Sequence, residues 1–405
     1  MSSLINITLP LPSCSLFLST DEIEFEYREL QLPDRRMQKV PLSKLQQNLS
    51  TVQPERATKD VVNDFLAKYG KVLDKKREEE KRLGRTQKES AAAIVRDYGL
   101  PLTPDQFIQE ITPMYREKWP SVKALPGADR LIKHLYSHKV PFALASNSLN
   151  EYIYAKISCM RGWKEWFSVI LGSDQVIEGK PAPYLFEEAA KRMGVDTSHC
   201  LVIEDSLVGV KAAMAAKMKV VAVPSHGEVE CSSLADKVLH SLLEFQPELW
   251  GLPPFEDWVG RALPIDPIYL CSRYVNGSTS EISEDASLPD QVFGTFFGWA
   301  GAVNATAWTI KVVVNIGWKC CSCTKRKRLW KLWSVDECDS KVFEQQIQLL
   351  LVGYICRLNS KDPSTVDAKE IEEFKYIANT SLNLPMFVNH SCTSLSTEAT
   401  SGLNE

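Results

Sequence analysis

Cys200-Leu201-Val202-Ile203-Glu204-Asp205-Ser206-Leu207-Val208-Gly209 is the stretch on which the fold turns. Its unbroken apolar start suits a strand buried on both faces, and two adjacent carboxylates end it. Ser206 and Gly209 then open a helix expected over Val208–Met218. Strands buried on both faces belong to parallel sheets covered by helices. Working outward, Pro141–Ala145, Ser168–Leu171 and Lys219–Val223 are further short apolar runs. Helical patterns at Asp129–His138 and Tyr184–Met193 lie among them, and this alternation predicts an α/β domain with a parallel sheet.

In such sheets ligands bind beyond the carboxyl ends of the strands, so the strand ends carry the chemistry. Ser146-Asn147 closes the run Ala143-Leu144-Ala145 and offers a hydroxyl and a backbone N–H to a phosphate oxygen; Ser148 follows. Lys180, in Gly179-Lys180-Pro181, supplies a fixed cation to neutralise a phosphoryl group. Glu204 and Asp205 suit Mg²⁺, a hard cation held by one or two carboxylates plus substrate phosphate. The helix opened by Ser206 and Gly209 favours anions at its N-terminus. Ser173-Asp174 closes another strand. The site is therefore expected to use Ser146 and Lys180 in catalysis, Asn147 and Ser148 on the substrate, and Glu204 and Asp205 on the metal.

Upstream, Val61, Val62, Phe65, Leu66 and Tyr69 recur at helical spacing and Gly70 stops the pattern. The charge run Asp74–Lys81 reads as a solvated helix face. Two more helices are expected at Thr86–Tyr98 and Asp105–Lys118. Together these features resemble the haloacid dehalogenase superfamily, with its second, third and fourth motifs at Ser146, Lys180 and Glu204-Asp205. The resemblance implies a Rossmannoid parallel sheet over residues 125–245, a helical cap over 57–124, and Mg²⁺-dependent phosphate-ester hydrolysis. It also implies an aspartate nucleophile in Asp-x-Asp-Gly-Thr at the end of the first strand, just before Ala57-Thr58. No Asp-x-Asp occurs within residues 1–60. The nearest imitation, Leu16-Phe17-Leu18-Ser19-Thr20-Asp21, ends in serine where the nucleophile belongs. It lies far from the cap and is read as accidental, leaving residues 1–56 unassigned.

Residues 246–268 read as a linker, starting at the turn-rich Gln246–Pro254. Beyond it, Phe293–Ala302, Trp308–Ile316 and Ile347–Ile355 are strand-like, predicting a small antiparallel β-barrel over 269–360. The tail 361–405 looks helical at Val366–Asn379 and disordered from His390. Several runs are similar to the plant bifunctional riboflavin kinase/FMN phosphatase family. They include Leu125-Pro126-Gly127-Ala128, Gly162-Trp163-Lys164-Glu165, Trp250-Gly251-Leu252-Pro253-Pro254, Phe297-Gly298-Trp299-Ala300-Gly301, Asn315-Ile316-Gly317-Trp318 and Leu351-Val352-Gly353-Tyr354-Ile355. The resemblance implies two activities: FMN hydrolysis in the first domain, and riboflavin phosphorylation by ATP with Mg²⁺ in the barrel. Riboflavin, FMN and ATP would be the partners.

The sequence departs from that family in blocks, at 1–56, 271–291 and 319–342. The glycine-rich and Pro-Thr-Ala-Asn motifs expected before Phe293 are missing, and Lys319-Cys320 replaces the Asn-Pro expected after Trp318. Counting back from Val352-Gly353-Tyr354-Ile355 puts the family's catalytic glutamate at Lys331, where a charged lysine cannot accept a hydroxyl proton; Glu337 lies near. Three readings follow: a working bifunctional flavin enzyme, a catalytically inactive homologue kept as a binding module, or an otherwise ordinary enzyme in which residues 1–56, 271–291 and 319–342 are wrongly derived stretches.

Across 405 residues the formal net charge is −4, which gives no reason to expect nucleic acid or an anionic membrane as partner. No apolar run is long enough to span a bilayer, and the chain reads as cytoplasmic. Cys320, Cys321 and Cys323 precede Lys325-Arg326-Lys327-Arg328. Without a second matched cluster they are expected to be free thiols on a basic loop.

Overall fold

Short apolar runs pair in parallel only when helical crossovers return the chain to the same edge, and this chain supplies them. The computed structural model describes residues 2–4, 15–22, 54–74, 87–119, 124–224, 231–273, 280–281, 288–302, 310–322, 325–336, 346–358 and 366–388. It contains two compact units: Met1–Phe255 with Ser287–Gln291, and Glu256–Ala286 with Val292–Glu405.

In the first unit the elements run β1 (Ser2–Leu4), β2 (Ser15–Glu22), α1 (Pro54–Lys68), α2 (Gln87–Tyr98), α3 (Pro104–Lys118) and α4 (Ala128–Ser137). There follow β3 (Phe142–Ala145), α5 (Asn150–Ile157), β4 (Val169–Leu171), α6 (Tyr184–Met193), β5 (Cys200–Glu204), α7 (Leu207–Ala215), β6 (Lys219–Ala222) and β7 (Lys237–Val238). The sheet order is β4-β3-β2-β5-β6-β7, parallel throughout, with β1 pairing antiparallel to the end of β2. The four apolar runs are strands β3 to β6, as their composition predicts.

One expectation is overturned. Ser15–Glu22 is no accident of composition but the central strand: Leu16 pairs with Phe142 on one side and Leu201 on the other, and Leu18 pairs with Leu144 and Ile203. A run paired between two parallel neighbours needs no alternation to mark it, which is why so short a run was inconspicuous.

Period-two alternation divides the core into two layers. Phe142, Leu144, Leu201 and Ile203 pack with α4, α5 and the cap helices, whereas Ala143, Ala145, Cys200 and Val202 pack with α6 and α7. The small alanines let α6 approach closely, so Leu185, Phe186 and Ala189 are wholly buried. Helices α1 to α3 form the expected cap. Phe65 meets Phe107 edge-on at 4.9 Å, and Thr103 with Gln106 completes a capping box that starts α3. Of the charge run Asp74–Lys81, all but Asp74 lies outside the described residues.

The second unit contains β8 (Leu263–Arg273), β9 (Ser280–Glu281), β10 (Gly294–Ala302), β11 (Ile310–Ser322), β12 (Lys325–Ser334), β13 (Gln346–Cys356) and α8 (Ala368–Ser381). They form one antiparallel sheet in the order β8-β13-β10-β11-β12-β9. The strands are there, but closure into the expected barrel is not shown; an antiparallel sheet is. Three strands were not foreseen: β8, β9 and β12. β8 carries Pro264 and Pro267, and proline is tolerated at an edge, where β8 sits. The supposed basic loop after Cys323 is the second arm of a hairpin, with Trp318 opposite Arg328 and Asn315 opposite Lys331. Its charge hid the alternation that buries Trp330 and Leu332. Helix α8 lays Phe374, Ile377 and Ala378 against Phe297 and Val313. Residues from 389 onward lie outside the described set. Among the described residues, no helix is long and apolar enough to cross a membrane.

Candidate active site

A carboxylate buried at a strand end must find partners for its lone pairs, and Glu204 finds them on two sides. Its Oε1 accepts from Lys180 Nζ at 2.9 Å, both side chains being fully buried. Its Oε2 accepts from the backbone N–H of Asp205 at 2.8 Å and of Ser206 at 2.9 Å, and from Ser206 Oγ at 3.0 Å. Ser206 in turn caps α7 by accepting from Gly209 N–H at 3.1 Å. The anion expected at this helix N-terminus is thus the protein's own Glu204.

The same contact explains Gly209. A Cβ there would lie 1.4 Å from Glu204 Oε1. Gly209→Ala is expected to push Glu204 off Lys180 and cost about 1–3 kcal/mol, read as a lowered melting temperature. An unchanged melting temperature would show that the carboxylate has room to retreat.

Lys180 is held from three directions. Its Nζ donates to Ala145 O at 3.2 Å as well as to Glu204, and its backbone N–H donates to Asn147 Oδ1 at 2.7 Å. Asn147 Nδ2 donates back to Lys180 O at 3.0 Å. Asn147, expected on the substrate, uses its amide oxygen and one amide N–H to fix the backbone that aims Lys180. Ser146 follows β3, is fully buried, and its Oγ accepts from Ser148 N–H at 3.0 Å. Asp174 acts as a cap, accepting from Asn150 N–H at 2.8 Å at the start of α5.

Sequence reasoning missed Lys156. This residue is 4% exposed, and its Nζ donates to Ser148 Oγ at 3.2 Å. The signal was present: the lysine falls on the apolar side of α5, with Ile153 and Ile157. A second buried ammonium therefore stands beside the loop that carries Ser146. The same helix meets the cap, through Arg116 to Glu151 at 3.0 Å and the Thr112 and Tyr152 hydroxyls at 3.4 Å.

Strand β2 completes the constellation. Ser19 pairs with Ala145, the residue before Ser146, and Leu18 pairs with Ile203, the residue before Glu204. The ends of β2, β3 and β5 thus lie side by side. Ser19 occupies the place where the first strand of this architecture ends, and Asp21 lies two residues on. Asp205, buried next to Glu204, offers the hard oxygens that Mg²⁺ takes, while both Glu204 oxygens are already engaged by Lys180, Asp205 and Ser206. Among the described residues no cluster of three or more His, Cys, Asp or Glu side chains forms, so the protein supplies two carboxylates where an aspartate at position 19 would add a third.

This sheet, cap and Ser146–Lys180–Glu204–Asp205 set define a haloacid dehalogenase-like hydrolase, and the profile of that family matches residues 52–223, beginning after β2. The chain belongs, more narrowly, to the bifunctional riboflavin kinase/FMN phosphatase family. It is 41% identical over 345 residues to the bifunctional riboflavin kinase/FMN phosphatase of Arabidopsis thaliana, covering 81% of this chain and 89% of that protein. The chain is also similar to (DL)-glycerol-3-phosphatase 2 of Arabidopsis thaliana, at 36% identity over 50% of this chain and 88% of that protein. CbbY from Rhodobacter sphaeroides in complex with phosphate aligns with 24% identity and a TM-score of 0.43 over 47% of this chain and 89% of that one.

In the second unit, Lys331 lies mid-strand in β12 opposite Asn315. Lys319 and Cys320 continue β11 and pair with Lys327 and Arg326. Glu337 lies outside the described residues.

Proposed function

We propose that this chain handles flavin phosphate: the first unit takes FMN by its phosphate with Mg²⁺, and the second takes riboflavin and ATP for the kinase reaction. The observation that carries the first part is the buried Lys180–Glu204 pair beside the Ser146 loop, a fixed cation at the joint end of three strands. In this reading Ser146 and Lys180 bind the phosphate, Asn147 aims Lys180, Lys156 positions Ser148, and Glu204 and Asp205 hold the metal. Bound Mg²⁺ would neutralise phosphate charge. The second part rests on the family relationship, and the cytoplasm is its proposed location.

The register of β2 favours a narrower reading of the first unit: FMN binding with little hydrolysis. Splitting a phosphate ester by covalent catalysis needs a nucleophile at the strand end, and position 19 offers serine. The test is a pair of assays on the full chain with Mg²⁺, one with FMN alone and one with riboflavin and ATP, beside FMN binding by flavin fluorescence. Mg²⁺-dependent FMN binding without phosphate release would support the narrower reading. Phosphate release abolished in Asp205→Ala would support full turnover. Absence of FMN binding would overturn both.

A further inference from the structure

The second unit holds a polar row that the reading above does not use. Thr295 on β10 pairs with Asn315 on β11, and Asn315 pairs with Lys331 on β12. Two residues along each strand, Phe297, Val313 and Trp333 pack in the apolar cluster with α8. Side chains two apart on a strand share a face, so Thr295, Asn315 and Lys331 stand in line on that face. Directly opposed Cβ atoms lie about 4.5–5.5 Å apart, close enough for one small ligand to touch all three.

Asn315 is the anomaly. It is fully buried, and neither its carboxamide oxygen nor its nitrogen has a hydrogen-bond partner among the described residues. Burying such a group unpaired costs about 1–3 kcal/mol, and on a strand that otherwise buries valine and isoleucine an apolar residue would avoid that cost. Lys331 is partly buried with its Nζ 5.4 Å from the centre of the Trp333 ring, and among the described residues it makes no ion pair. Lys311, nearer α8, differs: its ammonium is tied to Asn379 at 2.7 Å and Asn383 at 3.0 Å. Among the described residues the row therefore presents an ammonium outside any ion pair, an unpaired amide and the Thr295 hydroxyl, which stands opposite the Cys356 thiol and can turn from it to a stronger acceptor.

We propose that the Thr295–Asn315–Lys331 row binds a small oxyanion of the phosphate class, either inorganic phosphate or the phosphate of a monoester. Lys331 neutralises its charge, and the Asn315 amide N–H and Thr295 hydroxyl donate to its oxygens. A tetrahedral oxyanion has acceptors enough for all three donors, and charge-assisted bonds of this kind are the strong ones.

The test is calorimetric titration of the full chain with inorganic phosphate in EDTA, comparing the unmodified protein with Lys331→Gln and Asn315→Leu. Circular dichroism confirms the fold of each. The difference between proteins isolates the row from the first unit's site, whose residues are untouched. Lys331→Gln is expected to weaken one phosphate-binding event by about tenfold or more, and Asn315→Leu to weaken the same event while melting no lower than the parent. Competition by FMN for that event would identify a monoester as the ligand; a phosphate-binding event that FMN does not displace would identify the free ion. Phosphate binding identical in all three proteins would overturn the proposal, as would its absence from the unmodified chain.

Discussion

Ser19→Asp is expected to raise Mg²⁺-dependent phosphate release from FMN by roughly 10⁴-fold or more over the unmodified chain. Removing a nucleophile from enzymes of other classes costs on the order of 10⁴–10⁶ in turnover, and restoring one at a built site should return much of it. The expectation rests on register. Ser19 lies at the joint end of β2, β3 and β5, next to the residues leading into Ser146 and Glu204. An aspartate there would put a carboxylate beside the phosphate and add a third hard-oxygen ligand for the metal. Ser19→Asn, isosteric but without charge, is expected to give no gain, and Asp205→Ala in the Ser19→Asp background should abolish it. A Ser19→Asp rate equal to that of the parent would show that the end of β2 does not reach the phosphate.

The second large effect is on stability. Lys180→Met leaves Glu204 charged, wholly buried and without its cation. Breaking a buried ion pair by removing one partner costs about 3–5 kcal/mol. For a unit of this size that is a fall in melting temperature of roughly 6–20 °C. Adding Glu204→Gln should recover part of the loss, because the glutamine oxygen can still accept from the Asp205 and Ser206 N–H groups while the stranded charge is gone. A Lys180→Met protein melting with the parent would mean that water or a shifted loop replaces the ammonium at no cost. A double variant no better than the single would mean that the lysine's contacts to Ala145 and Phe186, and not its charge, hold the loop.

Which parts of this were legible in the sequence follows from which interactions are local. Strands β3 to β6 and helices α4, α6 and α7 were readable because each is a short apolar run or a 3.6-period stripe, whereas α5, between β3 and β4, was not read. Lys180, Ser146, Glu204 and Asp205 were readable because they stand at strand ends. The partners were not. Asn147 bonding to the backbone of Lys180, and Lys156 to Ser148, join residues whose proximity depends on how β3 and its following loops pack. Strand β2 was passed over because its position was inferred from distance to the cap, whereas strand pairing takes no notice of how many residues lie between β2 and α1. β12 was hidden by four basic residues at its start, since a strand with one half-exposed face tolerates charge there.

The place of β2 also bears on how the sheet is assembled. Among the described residues, β3 with β4, and β5 with β6 and β7, form two parallel sets joined strand to strand through β2. The strand is made before either neighbour, yet its first partner waits until Phe142 and its second until Cys200. Closing loops of that length costs only slowly more as they grow, so the delay is kinetic. During it β2 carries two unpaired edges, the kind of surface to which strands from other chains add. A chain built in this order leaves its middle strand open to pairing until the stretch from Cys200 has been made.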